Sequence, residues 1–236
     1  MATTDVLQKA RLDGRTLLTE VESKELIRES GIPVVESRLA GSKAEAVRIA
    51  KEMGLPAVLK IISPDVVHKS DVGGVKVGLE NVRQVRTAYD SILSSTQAAV
   101  PSASILGISV QKMAEPGVEV IIGATKDPQF GHVIMFGLGG VLVELLKDVS
   151  MRLVPLTAKD ARVMVREIKS LPLLQGYRQY PPCDLDSLEE AILNLSQFLE
   201  EHPDIKELDL NPVLCYPHGL VAVDARVVLD EPSPTS

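Results

Sequence analysis

The chain changes character near its middle, and this change restricts the possible folds more than any single motif does. Residues 17 to 100 mix amphipathic helical segments with short strand-like runs, whereas the sequence after residue 104 opens with consecutive β-rich runs. A stretch around residues 96 to 104, rich in Ser and Ala with one Pro, separates the two parts and is typical of a boundary between lobes. Because helices and strands are mixed without strict alternation, the sequence predicts a two-lobed α+β protein.

The same patterns divide the chain into four segments. We expect residues 1–16 to be a polar lead-in that packs poorly, and residues 230–236 to be a disordered tail. Between them we expect a first lobe over residues 17–100 and a second lobe over residues 101–229. In the second lobe the turn signal DPQFG predicts a hairpin, and apolar residues at 3.6-residue spacing predict helices in TAKDARVMVREIKSL and LDSLEEAILNLSQFLEEH.

Composition excludes several classes of function. The formal net charge is −7 and 3% of the residues are aromatic, with no Trp, which disfavours a nucleic-acid-binding protein. No apolar run approaches the roughly 20 residues that span a bilayer, and the N-terminus lacks the layout of a signal peptide. The two cysteines lack the spacing of a zinc site. We therefore expect a cytoplasmic protein with neither a nucleic-acid partner nor a membrane partner.

Two basic residues accompany an apolar strand in the first lobe. Lys60 lies within the run AVLKII, where a lysine either extends its amine to the surface or contacts a ligand phosphate; residue type alone favours the surface position. His68 follows in the loop PDVVHKSDVGGVKVGL. A histidine in such a loop is a surface residue, a metal ligand, a general base or a nucleophile. The absence of a His or Cys cluster in the sequence disfavours the metal ligand.

A second group of polar residues lies near the C-terminus. Asp209 and Asn211 in ELDLNPV are two residues apart, hence on one face of a strand, and Asp224 in VAVDARV lies in the partner strand of a predicted hairpin. Such oxygens either hold Mg²⁺, or form turn hydrogen bonds and an ion pair of Asp224 with Arg226 or another base, and spacing alone leaves both open. Glu119 in GVEVIIG also has two interpretations: it lies on the solvent face of an edge strand, or it faces a ligand.

The order of these segments resembles one protein family across nearly the whole chain. The successive motifs are similar to those of the ATP-grasp (β) subunit of ADP-forming acyl-CoA synthetases, relatives of succinyl-CoA synthetase: AVLKI, VHKSDVGGVKVGL, VQKMAEPGVEVIIGATKDPQFG, MFGLGG, MRLVPL, ELDLNPV and VAVDARV. The resemblance extends from about residue 17 to residue 229. It implies a two-lobed ATP-grasp fold.

The resemblance also implies which residues bind a nucleotide. Lys60 is similar to the strand lysine that contacts the α- and β-phosphates, and Glu119 to an acid near the nucleotide. The inter-lobe hinge around the adenine corresponds to Gln111, Lys112 and Met113.

The metal-binding and catalytic residues are implied in the same way. Asn211 and Asp224 are similar to the Mg²⁺ ligands, and Asp209 to the carboxylate that steadies an arriving phosphohistidine. His68 is similar to a loop histidine that is transiently phosphorylated in the acyl-CoA synthetase branch and is absent from succinyl-CoA synthetase. We expect the glycines after His68 to let its loop move.

The family reaction, as the resemblance implies, is acyl-CoA + ADP + phosphate ⇌ acid + ATP + CoA, with ADP or ATP as substrate and Mg²⁺ as cofactor. The chain is too short to include a CoA-binding Rossmann-like unit, so we expect a CoA-binding α subunit with its own phosphohistidine, in an α₂β₂ heterotetramer. Two alternatives stay open: a stand-alone ATP-grasp carboxylate ligase and a non-catalytic nucleotide-sensing module. Neither would need a nucleophilic histidine on the loop.

Overall fold

The chain forms two compact units in a computed structural model. The structure describes residues 3–66, 68–139, 148–178 and 181–231. The small unit takes its residues from 19–21 and 35–115, and the large unit from 1–18, 22–34 and 116–236. Each unit has its own antiparallel sheet and its own hydrophobic core.

The described ranges contain seven helices and ten strands. The helices are α1 Thr3–Leu12, α2 Glu20–Glu29, α3 Lys43–Met53, α4 Val82–Ala99, α5 Ala158–Glu167, α6 Leu171–Leu174 and α7 Leu185–Glu201. The strands are β1 Ser37–Ala40, β2 Ala57–Ile62, β3 Val75–Leu79, β4 Gly107–Lys112, β5 Val118–Asp127, β6 Gly131–Leu138, β7 Val149–Leu153, β8 Ile205–Cys215, β9 Leu220–Ala222 and β10 Arg226–Leu229. None of the helices in the described ranges has the length and apolar character needed to cross a membrane.

The small unit is built on an antiparallel sheet with the strand order β1-β4-β2-β3, against which α3 and α4 pack. Both helices begin at a capping side chain. The Ser42 hydroxyl accepts a hydrogen bond from the Glu45 N–H (3.2 Å), and the Asn81 amide oxygen accepts one from the Gln84 N–H (3.0 Å). The core between sheet and helices is aliphatic and includes Leu59, Ile61, Ile92, Ile108 and Val110.

The large unit is built on a sheet with the strand order β10-β8-β5-β6-β7, and β9 pairs with the other end of β8. The predicted hairpin at DPQFG joins β5 to β6, with Asp127 opposite Gly131 at its end. Helices α5 and α7 pack against each other and against β6. Their apolar faces close a core that includes Ile122, Ile134, Phe136, Leu195 and Leu208.

The prediction of a poorly packed lead-in over residues 1–16 is wrong. Residues 3–12 form α1, and Val6, Leu7 and Ala10 are buried in the core of the large unit. These three residues lie on one face of the helix, because positions three and four apart are neighbours on a helix surface. Because polar residues separate these three in the sequence, composition alone does not indicate an apolar helix face.

The predicted boundary between residues 100 and 101 is also wrong. Strand β4 lies after it but pairs with both β1 and β2, so it is an interior strand of the small sheet. The units divide between Glu115 and Pro116 instead. The Ser- and Ala-rich stretch is therefore the last turn of α4 and the start of the loop to β4, rather than a linker between lobes.

Two further segments differ from the prediction. Residues 22–34 lie in the other unit, and the start of the predicted tail is ordered. Residues 22–34 belong to the large unit, where the Ala222 N–H donates to the Pro33 carbonyl (2.8 Å). At the start of the predicted tail, the Asp230 N–H donates to the Asp204 carbonyl (2.8 Å), and its carboxylate accepts from Lys126 Nζ (2.5 Å). Residues 232–236 lie outside the described residues.

The packing of α1 predicts a measurable contribution to stability. Val6→Ala removes two methyl groups from a site that is 2% exposed, so we expect it to lower the free energy of unfolding by about 1–2 kcal/mol. Gln8→Ala, on the exposed face of the same helix, is the matched control and should change stability by less than about 0.5 kcal/mol. Urea unfolding measures both. Equal midpoints for the two variants would show that α1 does not pack in solution.

Candidate functional site

Strand β8 positions the polar residues of the large unit. Asp209 lies opposite Arg226 of β10, and Val213 lies opposite Ala222 of β9, so the two residue numbers of each antiparallel pair have the same sum. The same register places Asn211 opposite Asp224, which lies in the interruption between β9 and β10. A hydrogen bond from the Val223 N–H to the Pro212 carbonyl (2.9 Å) continues the ladder between them. The predicted C-terminal strand is therefore two strands, and the break between them contains Asp224.

A β-bulge in β8 coincides with Asn211. On its other side β8 pairs with β5, where Leu210 faces Ile122 and Val213 faces Val120. Two residues of β8, Asn211 and Pro212, thus oppose the single residue Ile121. An inserted residue reverses the side-chain alternation of a strand. Its effect is visible in the burial, because Leu208 and Leu210 before the bulge and Val213 and Cys215 after it all enter the core.

The side chains of Asp209, Asn211 and Asp224 form a polar group that contains two carboxylates. Burial raises the pKa of the Asp209 carboxyl, the positive charge of Arg226 opposes this rise, and the negative charge of Asp224 adds to it. The Arg226 guanidinium itself donates to Glu207 (3.3 Å). One Asp224 oxygen accepts from the Ala225 N–H (2.9 Å). A cation bound between the two aspartates would relieve their mutual repulsion.

This donor set fits a Mg²⁺ ion. Two carboxylates and one amide oxygen are hard ligands, and Mg²⁺ binds such groups while keeping positions for water and substrate phosphate. Within the described ranges no group of three or more His, Cys, Asp and Glu side chains is close enough to hold a metal. The described residues therefore do not form a metal site from protein side chains alone. Asn211 and Asp224 suit an ion whose other coordination positions are filled by water and substrate phosphate.

Glu119 also lies in the large unit, at an exposed position near the start of β5. The alternative of an edge-strand position is wrong, because β5 lies between β8 and β6 and Glu119 faces Leu214. The Gly139 N–H donates to the Glu119 carbonyl (2.8 Å). A Cβ atom on Gly139 would lie 3.0 Å from the Val120 carbonyl oxygen, so this glycine of FGLGG serves close packing on β5; Gly140 lies outside the described residues.

In the small unit, Lys60 is buried. Lys60 is 5% exposed, so the prediction from residue type that its amine extends to the surface is wrong. Lys60 lies on the interior strand β2, and its Nζ donates to Glu20 Oε1 at 2.8 Å. The second oxygen of Glu20 accepts from Lys69 Nζ at 2.5 Å. Sequence reasoning missed Glu20 and Lys69, because nothing local links Glu20 to a lysine 40 residues later.

His68 lies exposed in a loop of consecutive turns between β2 and β3, immediately after Val67, which is outside the described residues. The Asp71 N–H donates to the His68 carbonyl (3.2 Å), and the Gly74 N–H donates to the Lys69 carbonyl (2.8 Å). A Cβ atom on Gly74 would lie 2.6 Å from a methyl group of Ile61. Gly74 therefore permits close packing of the loop on β2.

The predicted hinge residues end β4. Gln111 is buried and faces Ser37 and Val58, whereas Lys112 and Met113 are exposed. The Met113 N–H donates to the Pro56 carbonyl (2.9 Å). That N–H is therefore already bonded within the small unit, and an adenine edge would have to use other groups of this stretch.

The site residues accordingly form two groups. The large unit brings together Asp209, Asn211 and Asp224, with Glu119 farther along the paired strand β5. The small unit joins Lys60 to the residue after His68 through one carboxylate, and it contains the stretch from Gln111 to Met113.

Comparison with known proteins identifies the class to which this fold and these residues belong. The sequence-family model of the ATP-grasp domain matches residues 9–229 of this chain. The β subunit of acetate–CoA ligase (ADP-forming) I from Pyrococcus furiosus is 43% identical over 225 residues, which is 95% of this chain and 97% of the relative. Acetate–CoA ligase (ADP-forming) I from Archaeoglobus fulgidus is 48% identical over 202 residues, which is 85% of this chain and 29% of that longer protein.

Solved structures agree with this assignment. Acetyl-coenzyme A synthetase 1 of Ca. Korarchaeum cryptofilum, in complex with coenzyme A, Ca-AMPCP and HgCl⁺, superposes with a TM-score of 0.94 at 50% identity, over 97% of this chain and 100% of that chain. A second structure of it contains coenzyme A and Mg-AMPPCP, with a phosphohistidine segment pointing towards the nucleotide binding site (TM-score 0.85, 46% identity, 97% and 100% covered). The chain belongs to the ATP-grasp family, in the group that contains the β subunits of ADP-forming acetate–CoA ligases.

The close packing of the His68 loop predicts that Gly74 does not accept a side chain. Gly74→Ala should lower the free energy of unfolding by about 1–3 kcal/mol, because the new methyl group overlaps Ile61 and the Lys69 carbonyl. At Gly41 a Cβ atom would meet its nearest neighbour at 3.8 Å, so Gly41→Ala is the matched control and should be nearly neutral. Thermal unfolding checks both, and an unaffected Gly74→Ala would contradict the described loop.

Proposed function

We propose that this chain is the nucleotide-binding phosphotransfer subunit of an ADP-forming acyl-CoA synthetase. The complete enzyme converts acyl-CoA, ADP and phosphate into acid, ATP and CoA. The observation that carries the proposal is the match to the Pyrococcus furiosus β subunit over 95% of this chain and 97% of the relative. A match of this extent favours the subunit over a stand-alone ligase, and the exposed loop histidine favours turnover over nucleotide sensing.

His68 is the phosphate carrier in this proposal. A neutral imidazole nitrogen is a nucleophile near neutral pH, and a covalent intermediate divides one long transfer into two shorter ones. In the first step the His68 nitrogen forms a bond to phosphorus while the N–P bond of the partner's phosphohistidine breaks. In the second step an oxygen of the β-phosphate of ADP forms the new P–O bond, and the N–P bond at His68 breaks. The leaving nitrogen keeps the electron pair, and the ring takes up a proton.

The remaining site residues bind and orient the reactants. Lys60 places a positive charge at the α- and β-phosphates, and Glu119 and residues 111–113 contact the nucleotide. Asp209 steadies a phosphohistidine that arrives at the nucleotide. Asn211 and Asp224 hold Mg²⁺, which when bound neutralises phosphate charge. Phosphoryl transfer depends mainly on such positioning and charge stabilisation.

The partner is a CoA-binding α subunit that carries its own phosphohistidine, in an α₂β₂ heterotetramer. Three observations support a partner. The Pyrococcus relative is named as a subunit, this chain spans 29% of the longer Archaeoglobus relative, and the Korarchaeum structures contain coenzyme A. The acyl group would be selected in that partner.

The carrier role predicts a covalent phosphate on one histidine. With its partner, acetyl-CoA and labelled phosphate but no ADP, the chain should acquire a phosphate that is labile in acid and stable in base, located at His68 by mass spectrometry. His68→Asn should abolish both the label and ATP formation. The control His218→Asn changes another exposed histidine, at a hairpin turn, and should leave both intact. ATP synthesis at the normal rate by His68→Asn would contradict the proposal.

The metal site predicts a change in nucleotide binding that depends on Mg²⁺. Asp224→Ala should lower the affinity for ADP at least about tenfold when Mg²⁺ is present, because a ligand of the ion is lost. Without Mg²⁺, variant and wild type should bind ADP alike. Asp230→Ala removes a carboxylate that pairs with Lys126 elsewhere in the same unit, and serves as the control. Calorimetric titration measures these affinities, and unchanged Mg²⁺ dependence in Asp224→Ala would remove this residue from the metal site.

A further inference from the structure

One buried carboxylate in the small unit holds two lysines. The Glu20 side chain is 1% exposed; its Oε1 accepts from Lys60 Nζ at 2.8 Å and its Oε2 accepts from Lys69 Nζ at 2.5 Å. Glu20 is the first residue of α2, where a negative charge interacts favourably with the helix dipole. The two oxygens of one side chain therefore fix two ammonium groups that come from different parts of the chain.

Burial of this group is expensive unless the charges are held in good geometry. Lys60 lies between Leu59 and Ile61, both fully buried in the core of the small unit. A buried ion pair seldom stabilises a protein more than apolar residues of the same size would. Stability alone therefore does not account for three charges at this place, whereas a requirement to position the two cations does.

The second lysine connects the carboxylate to the phosphate carrier. Lys69 directly follows His68 in the chain, and its side chain is 21% exposed. Its carbonyl accepts from the Gly74 N–H (2.8 Å), and the Gly74 carbonyl accepts from the Ile61 N–H (2.8 Å). Lys69 is thus held through its backbone to the strand that carries Lys60 and through its side chain to Glu20. The position of His68 relative to Lys60 depends on these two attachments.

We propose that Glu20 is a positioning residue for phosphoryl transfer, acting through Lys60 and Lys69. By holding both ammonium groups on one carboxylate, it sets the loop of His68 in register with the lysine that contacts the nucleotide phosphates. Ammonium groups held in this way attract the negatively charged phosphates. The inference rests on the proposed function and adds to it a residue pair, Glu20 and Lys69, that acts on the step from His68 to ADP.

The test measures one step in the complex of this chain with its CoA-binding partner. His68 is first loaded with labelled phosphate, using acetyl-CoA and phosphate without ADP, and the loaded fraction is counted. The complex is then mixed with Mg²⁺ and saturating ADP, and the single-turnover rate of label transfer to ATP is recorded together with the KM for ADP. The variants are Lys69→Met, Lys69→Arg and Glu20→Gln. The control is Lys43→Met, which removes an exposed lysine that pairs with Asp90 at 2.6 Å in the same unit.

A positioning role predicts a distinct pattern across these variants. Lys69→Met should slow the transfer at least about tenfold, the equivalent of one charge-assisted hydrogen bond, while the KM for ADP stays unchanged. Lys69→Arg should restore most of the rate, because a guanidinium also binds a carboxylate. Glu20→Gln should slow the transfer and raise the KM, since Lys60 loses its partner as well. Lys43→Met should transfer at the wild-type rate.

The outcomes separate this inference from the proposed function. If wild-type His68 takes up no label, the proposed function fails, and the inference fails with it. If His68 is loaded but Lys69→Met discharges at the wild-type rate, the inference alone is wrong. An equal loss in Lys69→Met and Lys69→Arg would also overturn it, because a role through the Glu20 ion pair requires rescue by arginine. Lys69 is partly exposed, so its variants test the inference even where Glu20→Gln fails to fold.

Discussion

Strand β8 has to satisfy two requirements at once, and the architecture of the large unit depends on how it does so. As a central strand it must bury Leu208, Leu210 and Val213, and as the carrier of Asp209 and Asn211 it must present polar groups on the opposite face. The bulge at Asn211 and Pro212 reconciles the two requirements, because one extra residue lets both halves of the strand keep their apolar side chains in the core. The interruption between β9 and β10 places Asp224 opposite the bulge. These polar side chains are therefore accommodated without placing a charge among the apolar side chains of the core.

The small unit solves a different electrostatic problem. Its sheet has a buried lysine on β2, and the Glu20 carboxylate offsets part of the cost of removing that charge from water. Glu20 in turn binds Lys69, so the loop that carries His68 is anchored by the group that neutralises Lys60. The tight fit of Gly74 against Ile61 provides a second anchor. The loop that contains His68 and the strand that contains Lys60 are thereby parts of one connected structure.

The sequence predicts the elements well because their signals are local. Ser42 caps α3, the run AVLKII forms β2, and the turn DPQFG joins β5 to β6, each as its own residues indicate. The two-residue spacing of Asp209 and Asn211 correctly indicates a shared face of a strand. What sequence reasoning missed is set by long-range pairing. The partner of Lys60 lies 40 residues earlier in the chain, and β4 joins strands on the far side of the expected boundary. The bulge does have a local signal, because proline inside a sheet is found at edges and bulges and ELDLNPV contains Pro212.

The central claim is that phosphate passes through this chain on its way to ADP. A rapid-quench time course of the whole complex, started with acetyl-CoA, labelled phosphate, Mg²⁺ and ADP, follows the label on each subunit and in ATP within one turnover. The account predicts that label on this chain rises after label on the partner and falls at the rate at which ATP appears. ATP that forms while no label passes through this chain, or before any label reaches it, would contradict the account.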